Sequence, residues 1–145
     1  MEMHGSIIML DHTAITVKDL DRSIAFYSEV LNFPLLSRKK NAELNVEYAS
    51  VQVGQSAIEI ICPIGSEPSN PKPTESGMTG VAARMHMETG LNHISLRVDD
   101  MNRVCHMLKS KRVKFLVEPR LTGSGSKFAF FTDPDGTLIE LIQRT

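Results

Sequence analysis

At 145 residues, with 41% hydrophobic and 23% charged side chains, the chain has the composition of an ordinary globular domain and the length to bury a core. The formal net charge of −1 leaves no large field to attract nucleic acid or an anionic membrane. No apolar run approaches the roughly 18 residues of a membrane span, and residues 1–10 lack the basic region and apolar stretch of a signal peptide, so a cytoplasmic protein is expected.

In chain order, residues 1–6 read as a loose tail on which His4 is idle. "LDHTAITV" alternates, with Ile15 and Val17 on one side and His12, Ala14 and Thr16 on the other, which predicts a strand. Asp19 or Asp21 then caps a helix carrying Leu20, Ile24, Tyr27 and Leu31 at helical spacing, and Asn32 and Pro34 end it. A short strand is predicted over 34–39. Strands over 47–53 and 56–62 form a hairpin turning at Gly54 and Gln55. Residues 63–89 begin as a Pro/Ser/Gly-rich loop and hold a short helix in "MTGVAARMHMETG"; a lid or dimer arm and a plain linker are equally open for so long a connection.

"NHISLRV" alternates again, Ile94, Leu96 and Val98 against His93, Ser95 and Arg97. Asp100 caps a helix with Met101, Val104, Cys105 and Leu108 on its apolar stripe. A short strand over 114–118 follows, then strands over 127–132 and 137–142 joined by the Asp133-Pro134-Asp135-Gly136 turn. Cys62 and Cys105 fall on a strand and a helix, as small buried hydrophobes, not a disulfide.

The chain states this pattern twice. "MLDHTAITVKDLDR" (9–22) matches "GLNHISLRVDDMNR" (90–103) at an offset of 81, and "SAIEII" (56–61) matches "TLIELI" (137–142) at the same offset. The fold is therefore α+β, two tandem βαβββ modules: a single domain over 7–145, with repeat one at 7–62, an arm at 63–89 and repeat two at 90–145.

Alternation also decides where the ionisable groups point. Ile15, Val17, Leu96 and Val98 must face the helices, so His12 and His93 face away, and Glu59 and Glu140 sit in matching apolar strands. A lone strand histidine is more often structural than a ligand. Carboxylates, however, are seldom buried without a partner, and two of them matched with two imidazoles call for a common counter-charge. A divalent metal held by His12, Glu59, His93 and Glu140 supplies it. Nitrogen and oxygen donors without thiolate suit Zn or Ni, with Co, Mn or Fe(II) also allowed, in an open, water-bearing site.

From residue 10 to 143 the chain resembles the vicinal oxygen chelate family of glyoxalases, extradiol dioxygenases, methylmalonyl-CoA epimerases and antibiotic-resistance proteins. "HTAITVKDLDRSIAFYSEVLNF" resembles its opening segment and "FFTDPDGTLIELIQ" its closing one. The resemblance implies a half-open mixed β-barrel around a metal cleft, a homodimer, and a ligand pattern that falls on His12, Glu59, His93 and Glu140. It implies a small-molecule substrate whose adjacent oxygens the metal holds, with Glu140 as constant ligand and either Glu140 or Glu59 as the base.

The two-His, two-Glu set resembles that of lactoylglutathione lyases, with glutathione as co-substrate. Many of those carry Arg where this chain has Thr16; Arg97 holds the matching place in repeat two. "IEIICPIGSEP" and "TGLNHISLRV" resemble methylmalonyl-CoA epimerases, which act on a CoA thioester, and Glu43 is then either a second acid/base or a solvated loop acid. An Fe(II) dioxygenase would use His12, His93 and Glu140 and add a His and a Tyr, for which only His86, His106, Tyr27 and Tyr48 are to hand. A drug-sequestering protein is the non-enzymatic alternative. Phe128, Phe130, Met85 and Met87 are candidates to line a pocket, core packing being the commoner role for the phenylalanines, while residues 78–87 form either an adaptable wall or an interface. Lys127, on the rim 121–128, is a candidate contact for an anionic substrate.

Overall fold

The computed structural model describes residues 5, 9–69, 73–86, 91–122 and 125–145. His4 with most of the tail, Met87 and the centre of the 121–128 rim lie outside the described residues. The chain divides into two compact units, Met1–Pro68 and Ser69–Thr145.

The first unit runs β1 (His12–Thr16), α1 (Leu20–Ala25), β2 (Leu35–Asn41), β3 (Val46–Val53) and β4 (Ser56–Pro63). Its sheet has the order β1-β4-β3-β2, with β1 parallel to β4 and the other pairs antiparallel. Asp19, not Asp21, opens α1: its carboxylate accepts from the Arg22 amide at 3.0 Å. The helix then widens into a π-turn over Phe26–Val30. Ser28 donates its hydroxyl to the Ile24 carbonyl at 2.6 Å, a back-bond that loosens regular helix. Asn32 stops the run in the left-handed conformation (φ 61), as an Asn after a helix end does. α1 covers the face of β3 and β4 that carries Ala49, Val51, Ile58 and Ile60; these, with Val17, Leu20 and Tyr27, are buried. Gly54 turns the β3–β4 hairpin at φ +59, as its sequence position demands. Arg38 is tied down: it bonds Glu47 on β3 and Asp21 on α1.

The second unit repeats the plan as β5 (Ile94–Arg97), α3 (Met101–Ser110), β6 (Phe115–Leu121), β7 (Lys127–Thr132) and β8 (Leu138–Gln143), preceded by α2 (Gly77–Met85). The sheet order is β5-β8-β7-β6, the first sheet's order again, with β5 parallel to β8. The correspondence extends to register: Ala14 pairs with Glu59, and Ser95 with Glu140. Asp100 caps α3 by accepting from the Arg103 amide at 3.1 Å. Asp133 organises the β7–β8 turn, its Oδ1 accepting from the amides of Asp135 and Thr137. Strand β6 is longer than the sequence suggests and passes through Pro119. An edge strand tolerates proline, and the register shifts between Val117 and Arg120 absorb it.

The sheet of the second unit is covered on both faces. On one face Met101, Cys105 and Leu108 of α3 lie on the side of Ala129, Phe131, Ile139 and Leu141, all buried. On the other face Val81 of α2 joins Val117, Phe130 and Leu138 in a second cluster, flanked by Met78, Leu116 and Phe128. Arg84 anchors the same helix, its guanidinium donating to the Gly136 carbonyl at 3.1 Å and to Thr74 Oγ1 at 2.8 Å. Helix α2, from the segment joining the repeats, thus belongs to the second module's core.

Gly80 is what lets α2 start there. A Cβ at this position would lie 1.9 Å from the Glu75 carbonyl oxygen, a backbone atom that cannot swing aside. Alanine is the better helix former by about 1 kcal/mol, yet Gly80→Ala is expected to lower the thermal midpoint, because the approach to the helix must move. A midpoint at or above that of the parent protein would contradict this.

The cysteines are free and differ in access. Cys105 is buried, and burial pushes its thiol up to about 11. Cys62 is half-buried, with its Sγ near the Lys18 carbonyl. Iodoacetamide at pH 8 is expected to label Cys62 well ahead of Cys105 in the native protein, and both alike in denaturant; mass spectrometry of the labelled peptides reads this directly.

Candidate functional site

Each module places an imidazole and a carboxylate on the sheet face turned away from its βαβ helix. In the first, His12 opens β1, and its Nε2 lies 3.4 Å from Glu59 Oε2. His12 Nδ1 donates to the Asp11 carboxylate at 2.9 Å. That hydrogen bond outweighs the opposing effect of desolvation and, with the nearby Glu59 and Asp11 charges adding to it, raises the His12 pKa above its usual value. Ala14 and Thr16 share the face of His12 and are exposed, and Ser50 and Tyr48 share the face of Glu59 from β3.

In the second module His93 stands just before β5, and its Nδ1 bonds the side-chain oxygen of Asn92 at 2.8 Å. A carboxylate or amide oxygen only accepts, so in both modules Nδ1 carries the proton and Nε2 keeps the lone pair when the ring is neutral. The His93 ring meets the Phe130 ring edge-on, centroids 5.6 Å apart. Phe130 is directly across from Glu140, and Ser95 is across from it on the other side. The Ser95 hydroxyl donates to Glu140 Oε1 at 2.6 Å.

The structure therefore brings together His12 with Glu59, and His93, Ser95 and Phe130 around Glu140's face. Arg97 is exposed on that same face, two residues past Ser95. Phe130 is only 2% exposed, so core packing is its first role and its edge toward His93 the second. Lys127 is placed elsewhere: it pairs with Gln143 on the face opposite Glu140, the side of Ala129 and Phe131. Glu43 is exposed in the β2–β3 turn, Met85 is exposed at the end of α2, and His86 and His106 are exposed. Tyr27, in the π-turn that follows α1, is fully buried. Among the described residues no three His, Cys, Asp or Glu side chains cluster tightly enough to hold an ion. No helix among them is long and apolar enough to cross a membrane.

Sequence reading alone passes over Asp11 and Asn92. Their signal is the repeat itself, since each precedes its histidine at the common offset of 81 and each offers an oxygen to Nδ1. Metal-ligating histidines are commonly oriented by such a partner on the second ring nitrogen.

A family model described as the Glyoxalase/Bleomycin resistance protein/Dioxygenase superfamily matches residues 9–141. The chain is 29% identical over 137 residues to the mitochondrial methylmalonyl-CoA epimerase of Bos taurus, covering 92% of this chain and 73% of that one. It is 32% identical over 135 residues to the lactoylglutathione lyase of Haemophilus influenzae, covering 91% and 90%. Among solved structures, glyoxalase I from Zea mays superposes with a TM-score of 0.73 at 28% identity, covering 94% of this chain and 44% of the maize chain.

Proposed function

Because the chain belongs to the glyoxalase/bleomycin resistance protein/dioxygenase superfamily, we propose that it is a divalent-metal-dependent lyase or isomerase of the glyoxalase type, removing a proton from the carbon beside a substrate carbonyl. The supporting observation is the doubled arrangement of an imidazole with engaged Nδ1 and available Nε2 on the same sheet face as a strand carboxylate. His12, Glu59, His93 and Glu140 are the proposed ligands, two from each module, in the cleft of a half-open barrel. Their chemistry fits the group: neutral imidazole nitrogens and carboxylate oxygens without thiolate suit Zn or Ni first, then Co, Mn or Fe(II). When bound, the metal supplies Lewis-acid stabilisation of the negative charge that develops on substrate oxygen.

The chain's own residues do the rest. A glutamate takes the proton from carbon and returns it at the neighbouring carbon. Arg97, with Thr16 in the matching place of the first module, offers a cation and a hydroxyl to an anionic co-substrate. Phe130 supplies an apolar wall beside His93. A homodimer in the cytoplasm is the proposed setting.

The epimerase reading is second, favoured by the match to the bovine enzyme along nine-tenths of the chain and by Thr16 standing where many lyases carry Arg. Both readings share the same proton abstraction. The test is Zn- or Ni-loaded protein given the methylglyoxal–glutathione hemithioacetal, and separately methylmalonyl-CoA in deuterated water. Formation of lactoylglutathione is the expected result. Deuterium entering C2 of methylmalonyl-CoA without that product assigns the epimerase; inertness toward both, with metal bound, refutes the proposal.

A further inference from the structure

Two residues beyond Glu140 the second sheet carries a rung of four side chains on the same face. Arg97 of β5 pairs with Ile142 of β8, Ile142 with Phe128 of β7, and Phe128 with Arg120 of β6. The order across the sheet is cation, two apolar side chains, cation. Both arginines are exposed, while Ile142 and Phe128 are half-buried. Phe128 is held edge-on to Phe130, centroids 5.9 Å apart, and packs against the cluster under α2. Among the described residues neither guanidinium has a hydrogen-bond or ion-pair partner, whereas Arg38 and Arg84 are each held by two groups.

Arg120 reaches this face through a β-bulge. Val117, opposite Phe130, lies on the α2 side. Unbroken alternation from Val117 would turn Arg120, three residues on, toward α3. The register shift between them gives Arg120 Phe128 as its partner and returns its side chain to the face of Glu140. In the first unit, at the common offset of 81, Lys39 stands where Arg120 does and Thr16 where Arg97 does. That rung, with Tyr48 and Ile61 between them, has one cation; the rung of the second sheet is charged at both ends.

We propose that Arg97 and Arg120 form a two-ended anion site on the second sheet, for a small elongated molecule with a carboxylate or phosphate at each end, and that Arg120 is the residue that selects for the second anion. The inference rests on the reading of Arg97 as a contact for an anionic co-substrate and extends it; it needs no metal and no residue of the first unit. Neighbouring strands lie about 4.8 Å apart, so the two arginine backbones stand about 14 Å apart, and their long side chains can lean inward over the apolar pair. Each guanidinium fork matches two oxygens of a carboxylate or phosphate. Ile142 and Phe128 keep water from the underside of whatever bridges them. The rung lies about 7 Å along the strands from Glu140, so a molecule held by both ends has its middle beside the Glu140 row.

Calorimetric titration of the metal-free full chain tests this with two pairs of probes. Glutathione and 3′-phosphoadenosine 5′-diphosphate are anionic at both ends; glutathione glycine monoethyl ester and adenosine 5′-diphosphate each lack one of those ends. In at least one pair the parent should bind the two-ended member about 10-fold more tightly, the worth of one charge-assisted fork. Which pair does so assigns carboxylate or phosphate. Arg120→Gln should erase that preference, and because Arg120 is exposed it should melt as the parent does. Lys127→Gln, which removes the same charge from the opposite face, should leave the preference intact. Equal binding within both pairs, or no binding of any probe, overturns the proposal without recourse to a variant. Loss of the preference in Lys127→Gln also overturns it, since a diffuse field would then be the cause. If metal-loaded Arg120→Gln turns over the hemithioacetal with the parent's KM, the anion site is wrong and the glyoxalase reading stands. If Arg120-dependent binding is found in a protein inert, with metal bound, toward both candidate substrates, the site stands and that reading has failed.

Discussion

Replacing Glu140 by alanine is expected to abolish stoichiometric Zn or Ni binding and to cut turnover by about 10²- to 10⁴-fold, the range associated with loss of a positioned acid–base group or its equivalent. Glu140 is half-buried between Ser95 and Phe130 on a strand whose neighbours Leu138, Ile139 and Leu141 are buried. A carboxylate in such company is costly unless something compensates its charge, and one serine hydroxyl is a modest partner. The prediction therefore has a second arm. In the metal-free protein Glu140→Ala should be neutral or slightly stabilising, because a half-buried charge held by a single hydroxyl is removed from an apolar strand. In the metal-loaded protein the same variant should lose the stabilisation that metal gives the parent, since a ligand of the native state alone shifts the unfolding equilibrium by mass action. Elemental analysis and paired melts with and without Zn read both arms. A variant that keeps one metal per chain and near-parent turnover would remove Glu140 from the site.

Phe130→Ala carries the largest expected cost to stability. The ring is 2% exposed and joins α2, β6 and β8 through Val81, Val117 and Leu138. Truncating a buried phenylalanine costs about 3–5 kcal/mol, from lost transfer free energy and the cavity left behind. Here the loss falls where α2 meets the sheet, so the helix should become the most easily opened part of the second module. Urea unfolding should show a lower midpoint, and hydrogen exchange should show amides of residues 78–85 losing protection before those of α3. Phe130→Leu, which keeps an apolar side chain in the space, should cost much less. A small loss for Phe130→Ala would mean that α2 does not rest on this ring. Because the same ring meets His93 edge-on, weakened metal binding in Phe130→Ala at temperatures where it remains folded would tie the packing to the site.

Much of this molecule is legible in its sequence because it is written twice. The offset shared by 9–22 with 90–103 and by 56–61 with 137–142 predicts two copies of one topology, and the sheets follow in identical strand order and register. Capping chemistry is equally local: an Asp before an apolar helical run can satisfy only the amides just ahead of it, and Asp19 and Asp100 do so. The turns at Gly54 and at Asp133–Gly136 follow from residues that tolerate or supply those conformations.

What a single sequence does not disclose is pairing between distant elements. The stretch around Val81 reads as a short helix with a weak apolar side, and nothing local says that it lies on the second sheet rather than the first. The Ser95–Glu140 bond depends on a register set by residues 45 apart. Lys127 is a different matter: the alternation in "KFAFFT" against "TLIELI" sets it on the face opposite Glu140, so its placement was readable. Pro119 argues against a strand until the strand is known to be an edge.

The placement of α2 makes the duplication lopsided. The second sheet is sandwiched between two helices, while the first, among the described residues, carries only α1 on one side. Severing the backbone between Pro68 and Ser69 would therefore yield unequal fragments: a downstream piece that takes its own covering helix with it, and an upstream piece whose sheet face with His12 and Glu59 has no helix of its own among the described residues.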